Sequence, residues 1–215
     1  MTNSQQLDEI TKSHPMEYLM HHPFFLVRHV ERARRKELLS LINPQAGETI
    51  ADIGCEYGHL LMSINQKCPS TKLYGIDLSP YALEKAKERV NNARLILCDA
   101  CNIKLPDNSV DVAISSNVLE HLSDPQKGFD ELVRITKPNG RIILNLPNEK
   151  RIIKTKKLLI SLGLRGLLGN LSLITPGHLH YPDKEFVKKL CSKHHIKKLY
   201  TTIYKFYIFA EVTKK

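Results

Sequence analysis

The chain has 215 residues, of which 42% are hydrophobic and 25% are charged, proportions that are ordinary for a soluble globular protein. This length predicts a single domain with a sizeable buried core. The first residues are polar, and no apolar run approaches the roughly 18 residues that a membrane-spanning helix needs. The five cysteines are irregularly spaced and do not suggest a disulfide framework, so we expect a cytoplasmic protein.

The net charge of +10 is concentrated in the last third of the chain. Residues 1–148 carry 17 basic and 18 acidic side chains, whereas residues 149–215 carry 15 basic and 4 acidic ones. A basic surface concentrates anionic partners such as phosphorylated metabolites, nucleic acid or acidic lipid, whereas other lysine-rich surfaces are only solvated faces. The charge alone therefore leaves the partner open.

The chain begins with a predicted helix over residues 15–42, which Pro44 ends. After it, apolar runs typical of strands alternate with segments of helical periodicity. Ser79 and Pro80 suit the N-cap and the first turn of one of these helices. Such alternation predicts a parallel sheet with helices on both faces. The predicted strands are 49–53, 72–76, 94–98, 110–115, 141–146, 196–203 and 206–213, the predicted helices between them are 58–67, 80–91, 125–136 and 183–193, and a turn is predicted at 137–140.

One stretch, TIADIGCEYGHLL at residues 49–61, is typical of a strand, a tight glycine turn and a helix. Gly54 and Gly58 let the backbone turn sharply and come close to a ligand, because neither has a Cβ. The helix that follows directs its free N–H groups and its positive dipole end towards that ligand. The stretch therefore predicts a binding site for a molecule with an anionic part, such as a phosphate or a carboxylate.

Acidic side chains lie at the ends of three successive predicted strands. Asp52 belongs to the first strand, and Asp77 and Asp99 close the next two apolar runs. The carboxyl ends of the strands in an open α/β sheet form the edge where ligands bind. An acid at the tip of the second strand typically accepts hydrogen bonds from ribose hydroxyls, so we expect Asp77 to bind a ribose.

Residues 47 to about 148 resemble the class I S-adenosylmethionine-dependent methyltransferases, in particular the type 11 methyltransferase domain group. The resemblance is carried by ADIGCEYGHL, by LYGIDLSPYALEKAK, by the block from LILCDA to LNLPN, and more loosely by GHLHYPDKEFVKKL. It implies a Rossmann-like α/β fold, a doubly wound and mostly parallel seven-stranded sheet with the last strand antiparallel. It also implies an N-terminal helical lid at 1–44 and a methyltransferase domain at 45–215, which contains a substrate-side insertion at 150–182.

By the same resemblance, the cofactor is S-adenosylmethionine. Asp77 would bind its ribose hydroxyls, Leu78 would touch the adenine, and Asp99 would accept a hydrogen bond from the adenine amino group. Glu56 stands where the family usually has a second glycine, and a carboxylate there would repel the carboxylate of the cofactor, so we expect its side chain to point into solvent. The cofactor-binding residues that the resemblance implies are Asp52, Gly54, Cys55, Glu56, Gly58, Asp77, Leu78, Asp99, Ala100, Asn117 and Val118.

Methyl transfer from a sulfonium is an in-line displacement, in which the protein mainly aligns donor and acceptor. A general base helps only where the acceptor must lose a proton. The candidate bases are His121, His178 and His180, of which His121 is expected to lie beside the cofactor. Cys98 and Cys101 form a CxxC without a second pair at suitable spacing, so no metal site is predicted, and a redox dithiol is the remaining alternative for this pair.

The segment 150–174 mixes basic and apolar residues. It fits either a lid over the substrate pocket or a basic amphipathic helix in peripheral contact with a membrane surface. We favour the lid, because the resembling family varies at this place with its substrate. The expected partner is a small-molecule acceptor, anionic or lipid-like, and the oligomeric state is left open.

Three other functions compete with methyl transfer to a small molecule. A nucleotide-dependent oxidoreductase shares the glycine turn, but it needs GxGxxG, and no third glycine follows Gly58 in phase. A nucleic-acid methyltransferase of this family would carry Asn-Pro-Pro-aromatic or Asp-Pro-Pro-aromatic after the fourth strand, where this chain has SNVL at 116–119. The third alternative is a non-catalytic module that retains the cofactor pocket, and the sequence does not distinguish it from an enzyme.

Overall fold

A computed structural model describes residues 25–163, 178–202 and 205–214 of the chain. Strands and helices alternate along this part of the chain, in the order that the apolar runs predict. The strands are β1 (Thr49–Ile53), β2 (Lys72–Asp77), β3 (Ala93–Leu97), β4 (Val110–Ser116), β5 (Thr136–Pro147), β6 (His195–Thr202) and β7 (Tyr207–Thr213). The helices are α1 (Phe25–Ile42), α2 (His59–Lys67), α3 (Pro80–Arg89), α4 (Pro125–Ile135), α5 (Glu149–Ser161) and α6 (Lys184–Leu190), and a 3₁₀ turn, Leu119–His121, follows β4.

The strands form one sheet in the order β3-β2-β1-β4-β5-β7-β6. The first five strands are parallel to one another. The last strand, β7, lies between β5 and β6 and is antiparallel to both. The predicted fold class, a doubly wound and mostly parallel seven-stranded sheet with an antiparallel last strand, is therefore confirmed.

The fifth strand differs from the prediction at its beginning. The turn predicted at 137–140 lies inside β5, which starts at Thr136. The register shifts from Val110 opposite Thr136 to Val112 opposite Arg141. The predicted turn is thus a bulge, because backbone pairing with β4 exists on both of its sides and β5 has more residues than β4 between the paired positions.

The core has two halves, one on each face of the sheet. Along β1, Ile50 packs with apolar residues of α1 and α2, whereas Ala51 packs on the opposite face with apolar residues of α4 and α6. Phe129 of α4 is fully buried there. Successive side chains of a strand point to opposite faces, so an uninterrupted apolar run is what a strand with helices on both faces requires.

Only the last part of the predicted N-terminal lid lies within the described residues. Helix α1 packs on the sheet through Leu38 and Ile42, which are almost inaccessible to solvent, and Phe25 at its beginning is exposed. None of the helices described here is both long and apolar enough to cross a membrane. The rest of the predicted lid, residues 1–24, lies outside the described residues, and so do residues 164–177 of the predicted insertion.

Candidate functional site

The backbone between β1 and α2 forms a tight turn across the end of the neighbouring strand. The N–H groups of Gly54 and Cys55 both donate to the carbonyl oxygen of Ile76 in β2, over 2.7 and 3.0 Å. Gly54 and Gly58 have φ values of 74° and 73°, in the left-handed region that glycine adopts without a steric penalty. The predicted strand, glycine turn and helix are all present.

Gly54 is also a site of close approach between two loops. A Cβ built at Gly54 would lie 2.3 Å from Cγ2 of Val118, the residue before the 3₁₀ turn that follows β4. A Cβ at Gly58 would lie 3.2 Å from Cβ of Ala86 in α3, a tighter contact than most Cβ atoms make. The structure thus brings the predicted cofactor residues Gly54 and Val118 together and explains why both turn positions are glycine.

Asp77 holds the glycine turn in place. Its Oδ2 accepts a hydrogen bond from the N–H of Glu56 over 2.9 Å, and its Oδ1 accepts one from the N–H of Ser79, also over 2.9 Å. Ser79 in turn caps α3, because its Oγ accepts from the N–H of Ala82. The carboxylate therefore orders the loops after β1 and β2, a role in addition to the predicted ribose contact.

Asp52 is a buried acid beneath this turn, with 2% of its surface exposed. Burial, and after it the negative charge of Asp77, raises the pKa of the Asp52 carboxyl to about 7, while the positive charge of Arg34 works in the opposite direction. Burial likewise raises the pKa of the neighbouring Cys55 thiol, so Cys55 is a neutral packing group. A cationic group of a ligand near Asp52 would stabilise its ionised form.

Glu56, between the two glycines of the turn, is partly buried. Its negative charge contributes to the raised pKa values of Asp52 and Arg34. That its side chain points into solvent stays a prediction. Its φ of 46° lies in the left-handed region, which costs a residue with a Cβ about 1 kcal/mol or more.

Replacing Glu56 by glycine is expected to raise the free energy of unfolding by about 0.5–1 kcal/mol, because glycine adopts this backbone conformation without a Cβ penalty. Urea unfolding of the variant measures the change. Glu56→Gln is the matched control, since glutamine keeps the Cβ and the side-chain length and removes only the charge. If the Gln variant gains as much stability as the Gly variant, the charge near Asp52 dominates and the backbone argument is wrong.

The predicted adenine residues line an open hollow beyond β2 and β3. The hollow has a volume of about 310 Å³, and its walls include Leu78, Cys98 and Asp99. Oδ1 of Asp99, whose side chain is exposed, accepts from the N–H of Cys101 over 2.7 Å, and Ala100 packs against the core. The hollow therefore has an apolar wall and an acceptor at its rim, which suits an adenine.

The CxxC sequence forms neither a disulfide nor a pair of thiols that share one partner. Cys98 and Cys101 are both free cysteines. The sulfur of Cys98 accepts from the N–H of Lys104, and the sulfur of Cys101 donates to the carbonyl oxygen of Asp124. The two thiols thus form hydrogen bonds with two different loops.

Asn117 lies at the end of β4 in a strained conformation, with a φ of 55°. Its N–H donates to the carbonyl oxygen of Asn145 in β5 over 2.9 Å. Its side-chain Oδ1 is buried and has no hydrogen-bond partner among the described residues. A buried acceptor without a donor is destabilising, and a ligand with an N–H group at this edge would satisfy it.

Arg34 of α1 connects the helix to the ends of β4 and β5. Its Nη1 donates to Oγ of Ser116 over 2.9 Å and to Oδ1 of Asn145 over 2.8 Å. Its Nε and Nη2 donate to the two carboxylate oxygens of Glu31, which also accepts from Arg35. The residues Glu31 and Arg34 are both buried. The sequence predicted no site residue here. Arg34 lies on the same helix face as the apolar residues of α1, and this position could have indicated a buried arginine.

The structure brings two of the three predicted histidines together. The rings of His121 and His178 lie edge to face, with their centroids 4.6 Å apart. The side chain of His180 is held elsewhere, with its Nε2 3.0 Å from the carbonyl oxygen of Leu122. Glu120, which precedes His121 in the chain, is a buried acid that no pattern in the sequence indicated as a site residue. Its backbone carbonyl accepts from the N–H groups of Leu179 and His180, which fixes the loop that carries the two later histidines.

Comparison with known proteins places this edge in a recognised domain. Residues 51–144 match the family model of a methyltransferase domain. The chain is 29% identical over 119 residues to trans-aconitate 2-methyltransferase of Escherichia coli (strain 55989 / EAEC), a match that covers 55% of this chain and 47% of that protein. It is 28% identical over 116 residues to malonyl-[acyl-carrier protein] O-methyltransferase of Serratia marcescens, which covers 54% and 45%.

A solved structure of an S-adenosylmethionine-dependent methyltransferase from Aquifex aeolicus superposes with a TM-score of 0.67 at 18% identity and covers 96% of this chain and 97% of that one. At this identity the likeness concerns the fold alone. The matched part of the chain spans less than half the length of the two curated relatives.

Proposed function

We propose, since the chain belongs to the class I S-adenosylmethionine-dependent methyltransferases, that it transfers the methyl group of that cofactor to a small-molecule acceptor by in-line displacement. The observation that carries the proposal is the arrangement at the carboxyl edge of β3, β2, β1 and β4, which are neighbours in that order. The hollow beside Leu78 and Asp99, the glycine turn and the buried acceptor of Asn117 follow one another along that edge.

The residues of this edge suit the parts of S-adenosylmethionine. Oδ1 of Asn117 is a buried acceptor that lacks a donor within the described residues, and the methionine amino group is such a donor. Asp77, at the end of β2, would accept hydrogen bonds from the ribose hydroxyls. Leu78 and Asp99 line the hollow, which would hold the adenine. In this arrangement the buried carboxyl of Asp52 lies beneath the methionine part, where a positive charge favours its ionised form.

When bound, the cofactor supplies an electrophilic methyl group on a sulfonium. The protein then needs to orient the acceptor, exclude water and, for an acidic acceptor, accept a proton. His121 is the proposed proton acceptor, because it follows Asn117 and Val118 on the same loop and is exposed at the edge. His178 lies against it and keeps the imidazole in place, and His180 is proposed to position the loop through its contact with Leu122.

The proposed acceptor is small and carries negative charge or an acyl chain. Helix α5 begins directly after β5, at the same edge as Glu120, and the sequence EKRIIKTKKLLIS of this helix contains five basic residues and one acid. Leu158 and Leu162 at its far end are exposed. Anions and apolar chains both find partners on such a helix. Two relatives are named for trans-aconitate and for a malonyl group on acyl carrier protein, which agrees with an acidic acceptor.

The test is a calorimetric titration of the purified protein with S-adenosylmethionine, with S-adenosylhomocysteine and with NADH. We expect micromolar dissociation constants for the first two ligands and no binding of NADH. Asp99→Ala is expected to weaken binding about tenfold or more, because a hydrogen bond to a charged group contributes about 1.5–3 kcal/mol. Unlike Asp77, Asp99 does not hold the glycine turn, so its removal leaves the turn intact.

Asp130→Ala is the matched control, since Asp130 is an exposed acid of α4 whose carboxylate contacts Gln126. Thermal unfolding of each variant separates a lost ligand contact from a lost fold. Binding of NADH in place of S-adenosylmethionine would contradict the proposal and favour a nucleotide-dependent oxidoreductase. Binding of S-adenosylmethionine without methyl transfer to any di- or tricarboxylic acid or acyl thioester would leave a cofactor-binding module and overturn the proposed acceptor.

A further inference from the structure

Three potential metal ligands meet next to the proposed methyl-transfer edge. One ligand atom each of Glu120, His121 and His178 lies within 4.8 Å of the other two. Glu120 and His121 belong to the 3₁₀ turn after β4, and His178 comes from the loop that precedes α6. Metal–ligand distances of about 2 Å place the ligand atoms of one ion roughly 3 Å apart, so the three donors would converge on an ion after a small inward movement of their side chains.

Among the three potential ligands, Glu120 would gain most from a bound cation. It is fully buried, and neither of its carboxylate oxygens has a hydrogen-bond partner within the described part of the chain. A buried carboxylate without a donor or a cation is strongly unfavourable. A bound cation would remove this penalty.

Glu149 stands behind His178. Its Oε1 lies 2.6 Å from Nδ1 of His178, and the two side chains are 1% and 7% exposed. The geometry of this approach is not that of a hydrogen bond, so the carboxylate and the imidazole are in close contact only. Carboxylates in this position orient the histidines that bind metals and increase their basicity.

We propose that Glu120, His121 and His178 bind one divalent metal ion such as Zn²⁺ or Mn²⁺, and that Glu149 orients His178. Two imidazoles with one carboxylate suit Zn²⁺, Mn²⁺ or Fe²⁺, whereas Mg²⁺ and Ca²⁺ prefer sets made only of oxygen atoms. Three protein ligands leave at least one coordination position open, as in catalytic rather than structural metal sites.

Asn117 and Val118 belong to the same short loop after β4 as Glu120, so an ion held by Glu120 would lie near the edge that those residues form. With the metal bound, His121 would be a ligand and not the proton acceptor, and the metal would instead hold an oxygen atom of the acceptor, a carboxylate or a hydroxyl, against the methyl donor. This role rests on the proposed function, whereas the metal site itself does not.

The experiment is a titration of chelator-treated protein with ZnCl₂ and with MnCl₂ in a calorimeter, without cofactor, beside a titration with MgCl₂. We expect one Zn²⁺ or Mn²⁺ per chain and much weaker binding of Mg²⁺. Glu120→Gln and His178→Ala are expected to weaken binding by about 100-fold or more, because each removes a ligand. Glu149→Gln is expected to weaken it about 10- to 100-fold, as for other groups that orient ligands.

His195→Ala is the matched control, because His195 is an exposed histidine of β6 and reports adventitious binding to surface imidazoles. Glu120→Gln keeps the shape and is expected to fold, which thermal unfolding checks. Equal affinity of wild type and Glu120→Gln, or no stoichiometric binding of Zn²⁺ or Mn²⁺, would overturn the metal site. Because no cofactor is present in this titration, that outcome is independent of whether the chain binds S-adenosylmethionine.

Discussion

Gly54→Ala is expected to lower the free energy of unfolding by about 2–4 kcal/mol and to abolish cofactor binding. The new Cβ would lie 2.3 Å from Cγ2 of Val118, and overpacking of this kind typically costs about 1–3 kcal/mol. The φ of 74° adds about 1 kcal/mol for a residue with a Cβ. Relief of the clash would separate the loops after β1 and β4, which together form the proposed site of the methionine part. Urea unfolding and calorimetric titration with S-adenosylmethionine measure the two effects.

Gly47→Ala is the matched control for the backbone. Gly47 has a φ of 81°, and a Cβ there meets no described heavy atom within 4 Å, so this variant should lose only about 1 kcal/mol. Val118→Ala should rescue Gly54→Ala in part, because only the Val118 Cβ, at 3.5 Å, remains near the new methyl group. If Gly54→Ala is no less stable than Gly47→Ala, the close approach of the two loops is not real.

Arg34→Met is expected to cost about 3–5 kcal/mol of unfolding free energy, the range typical of removing one partner of a buried ion pair. After this change the buried carboxylate of Glu31 would keep its hydrogen bond from Arg35 but lose both of those from Arg34. It would also remove the donor that Ser116 and Asn145 share. Chemical denaturation followed by circular dichroism measures the loss.

The structure offers two controls for this prediction. Arg32→Met removes an exposed arginine of the same helix and should change the stability by less than about 0.5 kcal/mol. Glu31→Gln combined with Arg34→Met should recover part of the loss, because the uncompensated charge is then gone. A single Arg34 variant as stable as the Arg32 variant would mean that the buried network contributes little.

Arg34 also connects the fold to the proposed chemistry. The guanidinium lies where its charge lowers the pKa of Asp52 and of Glu120. Its removal would therefore favour the protonated forms of both acids. Helix α1 is thereby coupled to the ligand-binding edge through electrostatics as well as through packing, which gives the described part of the predicted N-terminal lid a structural role.

The regular elements of the fold could be predicted because each depends on residues that are close in the chain. Apolar runs bounded by polar turns specify the buried strands. Ser79, with its Oγ on the N–H of Ala82, begins α3 as the capping rule predicts. The predicted start of β5 was wrong, because a proline-asparagine-glycine segment is typical both of a turn and of a bulge. Only pairing with β4 distinguishes these two structures.

The parallel sheet, the glycine turn and the acids at the strand ends could be predicted because periodicity and local turn chemistry encode them within short stretches of the chain. Which distant side chains meet depends on the folded chain. Arg34 and Asn145 are separated by 111 positions, and the cluster of Glu120, His121 and His178 joins loops on either side of α4, β5 and α5. Such contacts depend on how the strands are ordered in the sheet and on the burial that results. The spacing of residues along the chain does not reveal the order of the strands. The free energy of a buried charge depends on the groups that are near it in space, and these are known only once that order is known.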